Sequence, residues 1–143
     1  MWLFPDVKED NMSKSAIYAI NTNTQELAIG DVIPVNTIIR RFGCNCNLYG
    51  NGIGIQGTGY YKIDATVVLT PEAAGTATVN LYMDGVPVPG AFSSEAVGAT
   101  QVTHTASINA LVRQRCCDSS TLTLVLTGAA STISNVSMVV EKI

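Results

Sequence analysis

Charge is scarce in this chain. Lys, Arg, Asp and Glu make up 13% of its 143 residues, against roughly 25% in an ordinary soluble domain. The 8 basic and 11 acidic side chains leave a formal net charge of −3, so there is no basic field to hold phosphates, and nucleic acid is excluded as a partner. Histidine occurs once, as His104. Long apolar runs are missing: stretches such as Val67-Val68-Leu69 stop far short of the roughly 20 residues that a bilayer-spanning helix needs, so no membrane partner is expected. The opening Met1-Trp2-Leu3-Phe4-Pro5-Asp6 has neither the basic flank nor the extended apolar stretch of a secretory signal. Helical periodicity is absent as well, since apolar residues rarely recur at spacings of three and four.

Apolar residues nevertheless reach 47%, too many for a disordered chain and enough for one domain whose core needs neither metal nor disulfide. Many are β-branched and alternate with Thr, Ser and Asn, the composition of strands. Period-two reading predicts strands at 15–20, 32–39 with Pro34 weakening part of it, 52–56, 60–69, 76–83, 86–88, 100–112, 121–126 and 133–142. Turn residues punctuate them at Asn21-Thr22-Asn23, Gly30-Asp31, Asn51-Gly52, Pro71-Glu72 and Gly128-Ala129. Asp84-Gly85, between Leu81-Tyr82-Met83 and Val86-Pro87-Val88, predicts a type I′ hairpin because both residues tolerate positive φ.

Short strands without helices between them imply two packed sheets, because one sheet of this size would leave an apolar face uncovered. Along 60–69, Tyr61, Ile63, Ala65 and Val67 form the core side, with Lys62, Asp64 and Thr66 opposite. Along 121–126, Leu122, Leu124 and Leu126 oppose Thr121, Thr123 and Val125. An outward face of hydroxyls instead of Lys and Glu can be covered by a partner at little desolvation cost, which points to an oligomer.

The order of these elements resembles the tumour-necrosis-factor and complement globular-head superfamily. Gly57-Thr58-Gly59-Tyr60-Tyr61-Lys62-Ile63-Asp64-Ala65 looks like its Gly-x-Tyr entry into a central strand. Residues 76–88 resemble its next hairpin, Ile108–Val112 and Thr121–Leu126 its penultimate strand pair, and Ile133–Ile143 its closing strand. The resemblance covers residues 13–143 and implies an all-β, ten-stranded jelly-roll sandwich that packs as a homotrimer through aromatic and aliphatic side chains on one sheet. The segments Ser13–Ala19, Arg40-Arg41-Phe42-Gly43-Cys44-Asn45-Cys46, Cys116-Cys117 and Val139–Ile143 look like those of small phage and prophage proteins. That likeness alone implies a virion location, after synthesis in a bacterial host cytoplasm.

Several residues carry candidate chemistry. Gly52-Ile53-Gly54-Ile55-Gln56-Gly57 matches the dinucleotide-binding pattern, which works only where a helix follows. A strand follows here, so the glycines are expected to admit a close backbone approach instead. Cys44 and Cys46 would point the same way on an extended segment, and Cys116 and Cys117 oppositely. The four thiols are candidates for reduced structural groups, for one or two disulfides joining the 44/46 and 116/117 segments, or for interface contacts, while their spacing is not that of ordinary zinc sites. His104 lies on a predicted strand with no nucleophile tied to it, which makes it a surface or interface residue. The carboxylates are scattered, and the sequon Asn135-Val136-Ser137 matters only in a eukaryotic secretory pathway. No catalytic residue, metal site or cofactor is therefore expected. Arg40, Arg41, Arg113 and Arg115 flank the cysteines and would form one basic contact patch for an acidic partner if those segments are neighbours.

Residues 1–12 read as an arm ahead of the jelly roll, with Met12 an alternative start. Trp2, Leu3 and Phe4 each gain roughly 1.5–3 kcal/mol by burial, which makes them candidate anchors in a pocket of a larger assembly. The expected function is thus a non-enzymatic phage structural protein, a trimeric capsid decoration or head fibre whose partners are itself and a major capsid or other virion protein. The alternative is a receptor-binding or adhesive head on a fibre or spore surface, using exposed aromatics such as Tyr49 or Phe92 on a host-surface receptor.

Overall fold

A computed structural model of the chain describes residues 14–72, 75–98, 102–115 and 118–143. The described residues form twelve strands and no helix: β1 (Ser15–Asn21), β2 (Gln25–Leu27), β3 (Val32–Ile33), β4 (Thr37–Phe42), β5 (Cys46–Tyr49), β6 (Gly52–Gln56), β7 (Gly59–Pro71), β8 (Gly75–Met83), β9 (Val86–Val97), β10 (His104–Gln114), β11 (Ser119–Thr127) and β12 (Ser131–Lys142). The first sheet runs β10-β7-β12-β1-β4, with β2 also paired to β12. The second runs β5-β6-β11-β8-β9, with β3 also paired to β11. Every pairing is antiparallel. This is the all-β jelly-roll sandwich expected from the sequence, with short β2 and β3 among its strands.

The core lies where the alternation placed it. Tyr61, Ile63, Ala65, Val67 and Leu69 of β7 meet Leu122, Leu124 and Leu126 of β11, Ile53 and Ile55 of β6, and Ile17 of β1, all buried. Val125 is buried too, although it sits on the hydroxyl side of β11. The Asp84-Gly85 hairpin forms with φ of +54° and +81°, and Met83 pairs directly with Val86 across it. Residues 32–39 do not make one strand. Pro34 ends β3 in the second sheet, Val35 N–H and Asn36 N–H donate to Asn51 and Ile20 carbonyls, and β4 begins in the first sheet. Strand β9 runs on to Val97, well beyond Val88, because polar Ser93, Ser94 and Glu95 pair with β8.

The glycine-rich segment is strand β6, and β7 follows it without a helix. A side chain at Gly52 would run into the Leu122 carbonyl oxygen and the Thr123 methyl group. The absent Cβ is what lets β6 lie this close to β11. No described helix is long and apolar enough to cross a membrane.

Candidate functional site

Strand pairing assembles one continuous surface on the outer side of the first sheet. Residues in register share a face. Thus Arg113 and Tyr60 stand side by side, followed by Leu111 and Lys62, Asn109 and Asp64, Ser107 and Thr66, and Thr105 and Val68. Strand β12 extends these rows with Glu141 beside Lys62, Val139 beside Asp64 and Ser137 beside Thr66. Strand β1 adds Ala16, Tyr18 and Ile20, and β4 adds Phe42 and Arg40. Tyr18, Val139, Tyr60, Leu111 and Phe42 are all exposed large apolar groups on this face. Tyr60, Leu111 and Val139 follow from one sequence rule: in β7, β10 and β12 the inward positions hold mostly apolar groups, such as Tyr61, Ile63, Ile108, Val112, Met138 and Val140, so the alternate positions must point away from the core.

Electrostatics on the face are sparse. The Arg113 guanidinium lies 6.0 Å from the centre of the Tyr60 ring. Asn109 can orient its amide to donate to the Asp64 carboxylate. Lys62, Asp64 and Glu141 make no ion pair within the described residues, and His104 Nδ1 lies 3.8 Å from Glu95 Oε2. His104 sits at the start of β10, half-buried, with Nε2 buried and unpartnered among the described groups.

The second sheet presents the hydroxyl-rich surface expected from β11. Its polar groups are largely satisfied within the subunit. Thr78 and Ser94 share a hydrogen bond of 2.9 Å, and Asn80 donates to Thr127 Oγ1 at 2.9 Å. Its exposed large apolar groups, Tyr49, Val86 and Phe92, are fewer than those of the first sheet.

The cysteine segment departs from expectation. Gly43 has a φ of +78° and turns the chain, so Cys44 and Cys46 do not point the same way: Cys44 is exposed and Cys46 buried, and neither is in a disulfide among the described residues. Asn45 fixes this turn. Its amide donates to the Gln56 carbonyl at 2.7 Å, and its side-chain oxygen accepts from Ser15 Oγ at 2.7 Å. Burial raises the Cys46 thiol pKa from 9.0 to about 11, against the opposing pull of Arg41 and Lys142. Beneath it, Tyr61 is fully buried with its hydroxyl 2.9 Å from both the Gln56 and Gly57 carbonyls. Burial first, then the neighbouring Cys46 charge, raises its pKa from 10.0 to about 12.

Arg40, Arg41 and Arg113, three of the four arginines, do not share one patch. Arg40 pairs with outward Tyr18, whereas Arg41 pairs with inward Ile17 and donates from Nε to the Cys46 carbonyl at 2.6 Å. Arg113 is on β10, at the opposite edge of the sheet from β4, and Arg115 follows β10 at an exposed position. Consecutive residues of a strand face opposite ways, which splits the first pair, and four strand spacings separate it from Arg113. Trp2, Leu3, Phe4, Cys116 and Cys117 lie outside the described residues. No group of three or more His, Cys, Asp or Glu among the described residues is placed to hold a metal ion.

Comparison with known proteins places the fold. No family model matches the sequence, and no curated protein matches it. Solved structures do match. A crystal structure of murine APRIL at pH 5.0 superposes with a TM-score of 0.67 at 14% identity, covering 91% of this chain and 99% of that one. The PRD1 vertex protein P5 gives 0.59 at 16% identity over 90% and 96%. The globular domain of zebrafish complement 1qA gives 0.61 at 10% identity over 86% and 94%. The chain therefore has the jelly-roll fold shared by tumour-necrosis-factor-like and complement globular-head domains.

Proposed function

We propose that this protein is a non-enzymatic structural component of a phage particle, built as a homotrimer through the outer face of the first sheet. It attaches through an arm formed by residues 1–12, with the jelly roll occupying 13–143. The observation that carries the reading is the set of exposed Tyr18, Val139, Tyr60, Leu111 and Phe42, one on each of five neighbouring strands of the first sheet. Large apolar groups exposed in two clusters, Val139 with Tyr18 and Phe42 on one side of Lys62 and Glu141 and Tyr60 with Leu111 on the other, are the kind of surface that marks an interaction site. A second copy suits it, because the face carries unpaired charges of both signs, Lys62 beside Glu141 and Asp64. The same surface turned about a symmetry axis can offer complementary groups. The fold likeness to a vertex protein supports a virion location.

Trp2, Leu3 and Phe4 are the proposed anchor to a major capsid or other virion protein. Two measurements test the reading together: the solution mass, expected to equal three chains, and co-sedimentation with particles. Removal of residues 1–11 should leave the mass at three shortened chains and abolish particle association. A stable single subunit at working concentration would overturn the assembly. Full particle occupancy by the truncated protein would overturn the anchor. A receptor-binding head is the second reading, favoured by the exposed Tyr49 ring on the opposite layer.

A further inference from the structure

A groove of about 390 Å³ runs along the outer side of the second sheet, over β5, β6 and the start of β11. Its floor is Gly54, which pairs with Asn47 on one side and Thr121 on the other. A Cβ at Gly54 would stand 3.2 Å from Tyr49 Cβ and 3.8 Å from its Cγ, so the missing side chain opens the space beside the ring. Tyr49 is 69% exposed and forms one wall. Gln56, Ser119 and Thr121 contribute amide and hydroxyl groups, and Arg41 closes the end.

Each component has donors or acceptors to spare. Asn47 uses its side-chain oxygen on Leu48 N–H, which leaves its amide hydrogens free. Arg41 spends Nε on the Cys46 carbonyl, which fixes the plane of the guanidinium and leaves its terminal nitrogens for a ligand. No Asp or Glu lines the groove, although the chain as a whole is acidic. A lone fixed guanidinium without a carboxylate selects an anion, and one aromatic face among amides and hydroxyls selects a ligand that is hydroxylated on its edges and C–H-bearing on its faces. The size falls within the roughly 300–1,000 Å³ of small-ligand pockets, while the polar lining is wrong for a purely apolar molecule.

We infer that this groove binds an anionic saccharide, with a sugar ring against Tyr49, its hydroxyls on Asn47, Gln56 and Thr121, and its carboxylate or phosphate on Arg41. The inference does not depend on the proposed assembly, since the groove's aromatic wall and floor lie on the second sheet and Arg41 alone reaches it from a first-sheet strand, the edge strand β4. Its test is an array of carboxylate-bearing and phosphate-bearing oligosaccharides with their neutral counterparts, probed with the full chain, followed by titration of the best soluble saccharide. The two acidic arms distinguish the source of the charge.

Wild-type protein is expected to retain acidic saccharides over neutral ones. Tyr49→Ala, a change at an exposed side chain, should weaken the titrated affinity at least tenfold. Arg41→Gln should equalise acidic and neutral binding. Phe92→Ala, at another exposed aromatic two strands beyond β11, should change nothing. Circular dichroism of each variant confirms the fold. Failure of the wild type to bind any saccharide, equal wild-type binding of acidic and neutral forms, or undiminished binding by Tyr49→Ala would each overturn the inference.

Discussion

Replacing Tyr60 with alanine separates assembly from folding. Tyr60 is 48% exposed in the single subunit. A tyrosine buries roughly 150–250 Å² in total, so about 100 Å² remains to be covered by a neighbour, worth about 2.5 kcal/mol at 25 cal/mol per Å². Three copies meeting around an axis lose about 7 kcal/mol together. At 1.4 kcal/mol per tenfold this is about five orders of magnitude in the association constant of three chains. The subunit itself loses little: the Arg113 contact at 6.0 Å contributes about 0.5–1 kcal/mol, and strand propensity changes by less than about 1 kcal/mol. The Ile143 N–H bond to Tyr60 uses the backbone carbonyl and survives. Sedimentation velocity over a dilution series should show Tyr60→Ala dissociating where wild type does not, with near-wild-type thermal unfolding of the subunit. Phe92→Ala, 57% exposed on the other sheet, removes a comparable ring and should leave the mass unchanged. If Tyr60→Ala keeps the wild-type mass at every dilution, the first-sheet face is not the assembly surface.

Gly52→Ala should destabilise by about 3 kcal/mol or more in urea unfolding, since its methyl meets the Leu122 backbone carbonyl and no rotamer relieves that overpacking. Gly50→Ala, with open space around it and a φ of +58°, should cost only about 1–2 kcal/mol, from the left-handed backbone alone. With a folded pKa of about 11 against 9.0 for the free thiol, Cys46 keeps its proton in the folded state after the unfolded chain has released it. Its contribution to stability is therefore complete below pH 9 and disappears as pH rises toward 11. Alkaline denaturation followed by circular dichroism should be less steep over that interval in Cys46→Ala. At pH 8 a thiol reagent should modify exposed Cys44 in the native protein and reach Cys46 only on unfolding.

Much of the fold was legible because local patterns and tertiary burial agree. The face Tyr61, Ile63, Ala65 and Val67 alternates strictly, and no other register of β7 buries it. Asp84-Gly85 needed only its own backbone preferences. Strand β5 was not legible: Cys46-Asn47-Leu48-Tyr49 lacks strand composition and is held by pairing with β6. The break at Pro34 could be sensed, but not the change of sheet, since that depends on Val35 and Asn36 reaching Asn51 and Ile20. Equal direction for Cys44 and Cys46 assumed an extended segment, and Gly43 removes that condition. The groove combines positions near 41, 47–56 and 119–121, which no local period connects. Its one sequence trace is the alternation of Gly52 and Gly54 next to Tyr49.

The low charge of the chain has two different physical origins, one for each layer. Over β8, β9 and the end of β11 on the second sheet, hydroxyls and amides pair with one another across strands, as Thr78 does with Ser94 and Asn80 with Thr127, so there low charge needs no partner to satisfy the polar groups. On the first sheet, apolar groups and unpaired charges remain exposed, the surface on which the proposed assembly rests. Because Tyr60 and Tyr49 stand on opposite layers across the core, their perturbations should be separable. Tyr60→Ala should lower retention on a multivalent saccharide array by removing avidity, yet leave the titrated affinity for one soluble saccharide at its wild-type value. Tyr49→Ala should lower both readouts and leave the mass alone. If Tyr60→Ala altered the soluble affinity, the groove would instead be built across two subunits, and the division of labour between the layers would be wrong.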